Sequence, residues 1–249
     1  MFGIAGATNA SSSGGGDLPA SGLLAEFSDP GSNYSGGTWT DIVDGSYKWE
    51  QGTADNRPSS DGDKLTFDGT NDVLDGNAAL KGIHNGNDDY TLVVIADVKN
   101  RAGNSNDYIF YGTGSPNLYT QLYVNHDFHT PDSLADIKSL DYRSGAYYAT
   151  SGVDEPHALG PHIYGVSSER AGNVVLRVDD EKYVGDAVGD VACANYTGNL
   201  KLFSSGSTYT DGDLYLVRIY DYILSDDDWS ALRTFFSDNA DYGLTGVTL

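Results

Sequence analysis

Cysteine occurs once, at Cys193, and methionine once, at Met1. A single thiol excludes an internal disulfide framework and any multi-cysteine zinc site. Alone, Cys193 reads as a small buried hydrophobe. Basic side chains are scarce: 14 Lys and Arg stand against 36 Asp and Glu, a formal net charge of −22. A surface this acidic repels phosphate backbones, which argues against general nucleic-acid binding. Glutamate is scarce too, with only Glu26, Glu50, Glu155, Glu169 and Glu181. The remaining acids are aspartates, which favour turns and caps over helix interiors. Long apolar runs are missing. The longest within the strands, Leu92 to Ala96, falls far short of the ~20 residues that a membrane-spanning helix needs. Met1-Phe2-Gly3-Ile4-Ala5-Gly6 shows neither the basic segment nor the apolar stretch of a secretory signal. The expectation is a product that stays where it is made, leaves within an assembly, or has lost its signal.

What is abundant is glycine, 31 of 249 residues, and tyrosine, 18 residues, a mixture that suits strands and turns. Residues 1–21 stand apart as a flexible N-terminal arm. Their stretch Ala7-Thr8-Asn9-Ala10-Ser11-Ser12-Ser13-Gly14-Gly15-Gly16 is linker-like and cannot bury a core. Such an arm is rarely ordered alone, and only order along it in an experimental structure would imply that a neighbouring chain holds it.

Residues 22–249 read as one β-sandwich domain of about a dozen short strands. In Gly22–Ser28, Leu23, Ala25 and Phe27 alternate with Leu24, Glu26 and Ser28. Tyr90–Val98 is apolar on both faces, as a central strand would be. The last strand, Leu214–Tyr222, is expected to turn Leu214, Leu216, Arg218 and Tyr220 one way and Tyr215, Val217 and Ile219 the other. One helix follows. Ser225 is its N-cap, and Asp226, Asp227 and Asp228 fill the first turn, with Asp228 placed to complete a capping box. Trp229, Leu232, Phe235 and Phe236 form its apolar stripe, expected to pack on a sheet edge.

These pieces resemble the concanavalin A-like, laminin-G-like jelly rolls. The matching segments are Gly22-Leu23-Leu24-Ala25-Glu26-Phe27, Leu65-Thr66-Phe67-Asp68-Gly69-Thr70-Asn71-Asp72, Asp89-Tyr90-Thr91-Leu92-Val93 and Leu176-Arg177-Val178-Asp179-Asp180. The last runs from Gly212 through Arg218-Ile219-Tyr220 to Leu224-Ser225. Asp180 replaces the usual glycine, and residues 100–160 align poorly. The resemblance implies an all-β fold: a two-sheet antiparallel jelly-roll sandwich with one short C-terminal helix. Phe67 would point inward, and Arg218 would reach a carboxylate.

The same fold resembles laminarinase-type glycoside hydrolases and alginate lyases, so the site must decide. The paired carboxylates of the first, E-x-D-x-x-E, and the R-x-E-x-R of the second are both absent. A catalytic role is therefore not expected. His126 and His129 read as a solvated loop pair rather than a metal site. Asp68 and Asp72 are the candidate metal ligands, for calcium, with turn formation as the competing role. Tyr142, Tyr147 and Tyr148 are the candidate glycan or partner contacts, and Tyr119 and Tyr123 alternate along one strand.

The reading that combines these features is a non-enzymatic structural or adhesion subunit, as in phage virions. Residues 1–21 would anchor it to other virion proteins or to its own copies, and it would bind host-surface glycans. Its location would be the virion. The alternatives are a free carbohydrate-binding module or bacterial surface protein, outside or on the cell, and then a polysaccharide hydrolase or lyase. No cofactor is required, with calcium the one candidate. Neither nucleic-acid binding nor membrane insertion is expected.

Overall fold

The computed structural model describes residues 19, 21–83, 89–99, 106–114, 118–126, 135–143, 146–151, 160–169, 172–187 and 197–238. Along them lie β1 (Leu23–Phe27), α1 (Pro30–Asn33), β2 (Tyr34–Ser35), β3 (Thr38–Thr40), β4 (Lys48–Glu50), β5 (Ser59–Ser60) and β6 (Leu65–Asp68). Then come β7 (Leu74–Gly76), α2 (Ala78–Lys81), β8 (Tyr90–Val98), β9 (Asn106–Gly114), β10 (Leu118–His126), β11 (Ala135–Arg143) and β12 (Ala146–Ser151). The remainder is β13 (His162–Ser168), β14 (Asn173–Val178), β15 (Glu181–Ala187), β16 (Leu200–Leu202), β17 (Asp211–Tyr220) and α3 (Asp226–Asp238). The fold is all-β apart from these short helices: two antiparallel sheets packed as a sandwich.

The first sheet runs β15-β14-β13-β8-β17-β6-β5, with β1 also paired to β17. β6 pairs with Asp211–Leu214 and β1 with Val217–Tyr220, so the two lie end to end along β17. The second sheet runs β12-β11-β10-β9-β16-β7-β4-β3-β2. Between the sheets Leu92, Val94, Ala96 and Val98 of β8 meet Ile109, Phe110, Leu122 and Val124 of the facing layer. Phe27 packs its ring near both Trp39 and Trp49, at 5.7 and 6.0 Å between centroids. Phe67 points inward as expected and stacks on Phe203 at 4.4 Å.

The other face of β8 explains its unbroken apolarity. Val93 and Ile95 join Ile163, Tyr215 and Leu216 in a second core, covered by Trp229, Leu232 and Phe236 of α3. The helix thus lies over the outer face of the first sheet, not on its edge as the sequence suggested. Outward apolar side chains on three adjacent strands need a lid, and the stripe of α3 supplies it. Its N-terminus is the expected capping box. Asp228 N–H donates to Ser225 Oγ at 3.1 Å, and Ser225 N–H donates back to Asp228 Oδ2 at 3.0 Å.

The alternation expected for the last strand fails at one point. Leu214, Val217 and Ile219 face the inter-sheet core, whereas Tyr215, Leu216 and Tyr220 face the helix. The β17–β8 register shifts between Leu214 and Leu216. An extra residue in one strand places two consecutive side chains on one face and inverts the pattern beyond it. A similar shift occurs in β1 between Leu23 and Ala25. Leu23 accordingly packs toward the helix side and Leu24 toward the inter-sheet core.

Candidate functional site

The loop aspartates are committed to local structure. Asp68 Oδ1 accepts hydrogen bonds from the N–H groups of Thr70 (2.7 Å) and Asn71 (3.3 Å), and Gly69, between Asp68 and Thr70, has φ 67°. Asp72 Oδ2 accepts from Asp68 N–H at 2.9 Å. Burial lifts the Asp72 pKa above the ordinary carboxylate value, although that hydrogen bond pulls it down. Asp61 Oδ1 likewise holds the N–H groups of Asp63 and Lys64, both at 3.2 Å. Asp213 is drawn up by burial, yet Lys64, Thr66 and Lys99 outweigh this and hold it below its ordinary value. Among the described residues no three His, Cys, Asp or Glu side chains converge as a metal cage. The turn role proposed for Asp68 and Asp72 is therefore visible in their hydrogen bonds. Cys193, His129 and residues 1–18 lie outside the described residues.

The tyrosines are more informative. β9 and β10 carry Ile109, Phe110, Leu122 and Val124 into the inter-sheet core. Their other face bears Tyr108, Tyr111 and Tyr123, each half-buried. Tyr108 meets Tyr111 edge-on at 5.4 Å and Tyr123 at 5.3 Å with a 44° tilt. Strict alternation would put positions 108 and 111 on opposite faces. They share one because Leu122 pairs with Phe110 while Tyr123 pairs with Tyr108, leaving Ile109 as the extra residue of a bulge. Tyr108 and Tyr111 had no signal in the sequence beyond their residue type, because the bulge has none.

Register extends the tyrosine rows across the sheet. Position 119 lies on the face of positions 121 and 123 by the pleat. Tyr119 is paired with Tyr142, and Tyr142 with Tyr147. Positions 119, 142 and 147 therefore form a second row beside the Tyr108–Tyr111–Tyr123 cluster. Tyr148 does not belong to it. It pairs with Asp141, which pairs with Thr120, and Thr120 is buried on the core side, its hydroxyl 3.3 Å from that of Tyr90. Positions 147 and 148 thus fall in different rows of the register. One flank of the tyrosine face carries Lys201, which sits opposite Tyr111 in the register and bonds Asp75 at 2.5 Å.

Comparison with known proteins bears on the fold. No protein-family model and no curated protein sequence matches the chain. Among solved structures it is similar to Trypanosoma rangeli sialidase in complex with sialic acid, with TM-score 0.65 and 15% identity over 90% of this chain and 34% of that one. It is also similar to the binding domain of botulinum neurotoxin DC in complex with SialylT, with TM-score 0.57 and 9% identity over 86% of this chain and 51% of that one. The chain thus spans about a third of the sialidase and about half of the toxin domain. At these identities the likeness shows a shared β-sandwich fold.

Proposed function

We propose that this chain is a non-catalytic carbohydrate-binding β-sandwich whose ligand lies across the outer face of β9–β12. The observation that carries the proposal is the contact cluster of Tyr108, Tyr111 and Tyr123 on a sheet face that the inter-sheet core does not use. Pyranose rings present flat C–H faces that stack on aromatic rings, and each phenol adds a hydroxyl able to bond a sugar oxygen. Rings fixed by mutual contact lose little conformational entropy on binding. The similar structures, a sialidase in complex with sialic acid and a toxin binding domain in complex with SialylT, support the carbohydrate-binding part of this reading. So does the absence from the sequence of both polysaccharide-cleaving motifs.

The narrower form of the proposal is an adhesion subunit of a virus particle, attached through residues 1–21. The Ser/Gly composition of residues 7–16 supports an attachment arm. Deleting residues 1–21 would then abolish assembly with partner chains and leave glycan binding intact.

A glycan microarray probed with the intact chain tests the main proposal. Binding to one glycan class, without turnover of the bound glycan, is expected. Silence across the array, or release of cleaved sugar, would overturn it.

A further inference from the structure

The outer face of the first sheet holds a cleft that the tyrosine face does not involve. Its volume is about 310 Å³, and it is lined by Ser167, Val175, Arg177, Lys182 and the Ile223–Asp226 segment leading into α3. Val175, Ile223 and Leu224 make one wall apolar. Arg177 and Lys182, paired across neighbouring strands, add two cations to the lining, in a chain with 14 basic residues and a net charge of −22. The Arg177 side chain is only 9% exposed, and its guanidinium lies 5.6 Å from the Trp229 ring centroid. Lys182 reaches the same spot from the neighbouring strand.

A carboxylate already sits on this pair. Asp226 Oδ1 accepts a hydrogen bond from Arg177 Nη2 and another from Lys182 Nζ at 2.8 Å. The Asp226 side chain is 70% exposed, so it covers the cations from the solvent side. The buried Arg177 Nε has no hydrogen-bond partner among the described residues, and a lysine ammonium has three donors. The three charges sum to one positive. The site therefore keeps both donors and charge beyond what Asp226 satisfies.

We infer that this cleft binds a small organic carboxylate, with Arg177 and Lys182 holding the carboxylate and the Val175–Leu224 wall holding the body of the ligand. Asp226 occupies the carboxylate position when the cleft is empty and competes with the ligand for the cations. The inference is independent of the glycan site, because the two surfaces belong to different sheets. Binding is weak and falls with salt, because the cleft is open and the chain repels anions at long range.

The test is NMR titration of the intact chain at low ionic strength with glucuronate, its neutral counterpart glucose, and benzoate. Glucuronate should shift resonances of the β14–β15 hairpin, whereas glucose should not. The benzoate arm tells whether the carboxylate is carried better on a sugar or on an apolar ring. Lys182→Met should weaken glucuronate binding by about fivefold, the scale of one charge-assisted contact at a half-exposed site. Asp226→Asn should tighten it by a similar factor, because the internal competitor is gone. Tyr123→Ala should leave it unchanged. Absence of binding, equal response to glucose, an effect of Tyr123→Ala in place of Lys182→Met, or weaker binding by Asp226→Asn would each overturn the inference. A thermal melt of each variant establishes that it is folded before titration.

Discussion

The indole of Trp229 occupies the space that a side chain at Gly165 would need: a Cβ there would stand 2.6 Å from Cζ3 and 2.8 Å from Cη2. The close approach seats α3 on the outer face of the sheet, where Trp229 Nε1–H also donates to the Asp179 carbonyl at 2.8 Å. Asp179, with φ 51°, holds the same corner through Ile163 N–H at 3.1 Å and the His162 ring at 2.6 Å. One turn residue thus ties the β13–β14–β15 region to the helix.

Gly165→Ala should lower stability by about 1–3 kcal/mol, the usual cost of forcing a methyl group into filled space. Combining it with Trp229→Leu should cost less than the sum of the two single changes, since the smaller side chain leaves room for the methyl. Urea denaturation of the four proteins measures the coupling. Strictly additive costs would mean that the two positions do not compete for space.

Glu26 and Arg218 face one another in the β1–β17 register and form an ion pair at 2.7 Å, with side-chain exposures of 10% and 5%. Ser28 Oγ donates to the other Glu26 oxygen at 3.0 Å, and Phe236 covers the guanidinium at 5.5 Å. Removing one member of a buried pair leaves an uncompensated charge, so Glu26→Gln should destabilise by about 3 kcal/mol. Glu26→Gln with Arg218→Met should recover much of that loss. Chemical denaturation would contradict this if the double variant were less stable than Glu26→Gln alone.

Asp226 has its pKa drawn from 3.8 to about 2, first by the hydrogen bond from Arg177 and then by that from Lys182. A depressed carboxylate stabilises the fold above its unfolded pKa, and that contribution disappears as the pH falls through the folded one. The urea midpoint of the wild-type chain should therefore exceed that of Asp226→Asn by a constant amount above about pH 5 and by steadily less toward about pH 2. A gap that widens on acidification would contradict the assignment.

The legible parts of this fold were those with long, regular patterns. β8 announced its central place through nine residues with apolar side chains on both faces, and α3 through its Ser225 cap and its stripe from Trp229 to Phe236. Phe67 and the Arg218–carboxylate pair followed from the jelly-roll resemblance. The strands at 34–50, which bury Trp39 and Trp49, are two or three residues long and offer no period to read. The bulges were equally silent. At Ile109 a bulge brings Tyr108 and Tyr111 to one face, and near Leu214 another reverses the expected facing of β17. Tyr142, Tyr147 and Tyr148 could be picked out by residue type, but the rows in which their positions fall are given only by the register.

Asp68 and Asp72 give a prediction about calcium. Their oxygens already accept backbone N–H groups, so a melt in millimolar calcium should match one in chelator. Asp68→Ala should cost about 1 kcal/mol through loss of its turn hydrogen bonds. A clear rise in melting temperature with calcium, abolished by Asp68→Ala, would instead show a metal site at this turn.

The central claim is that sugar stacks on the tyrosine face, and calorimetric titration of a glycan selected on the array tests it most directly. Tyr108→Ala and Tyr123→Ala should each weaken binding by about tenfold or more, equivalent to about 1.4 kcal/mol, while both variants stay folded. Affinity unchanged in both folded variants would contradict the account.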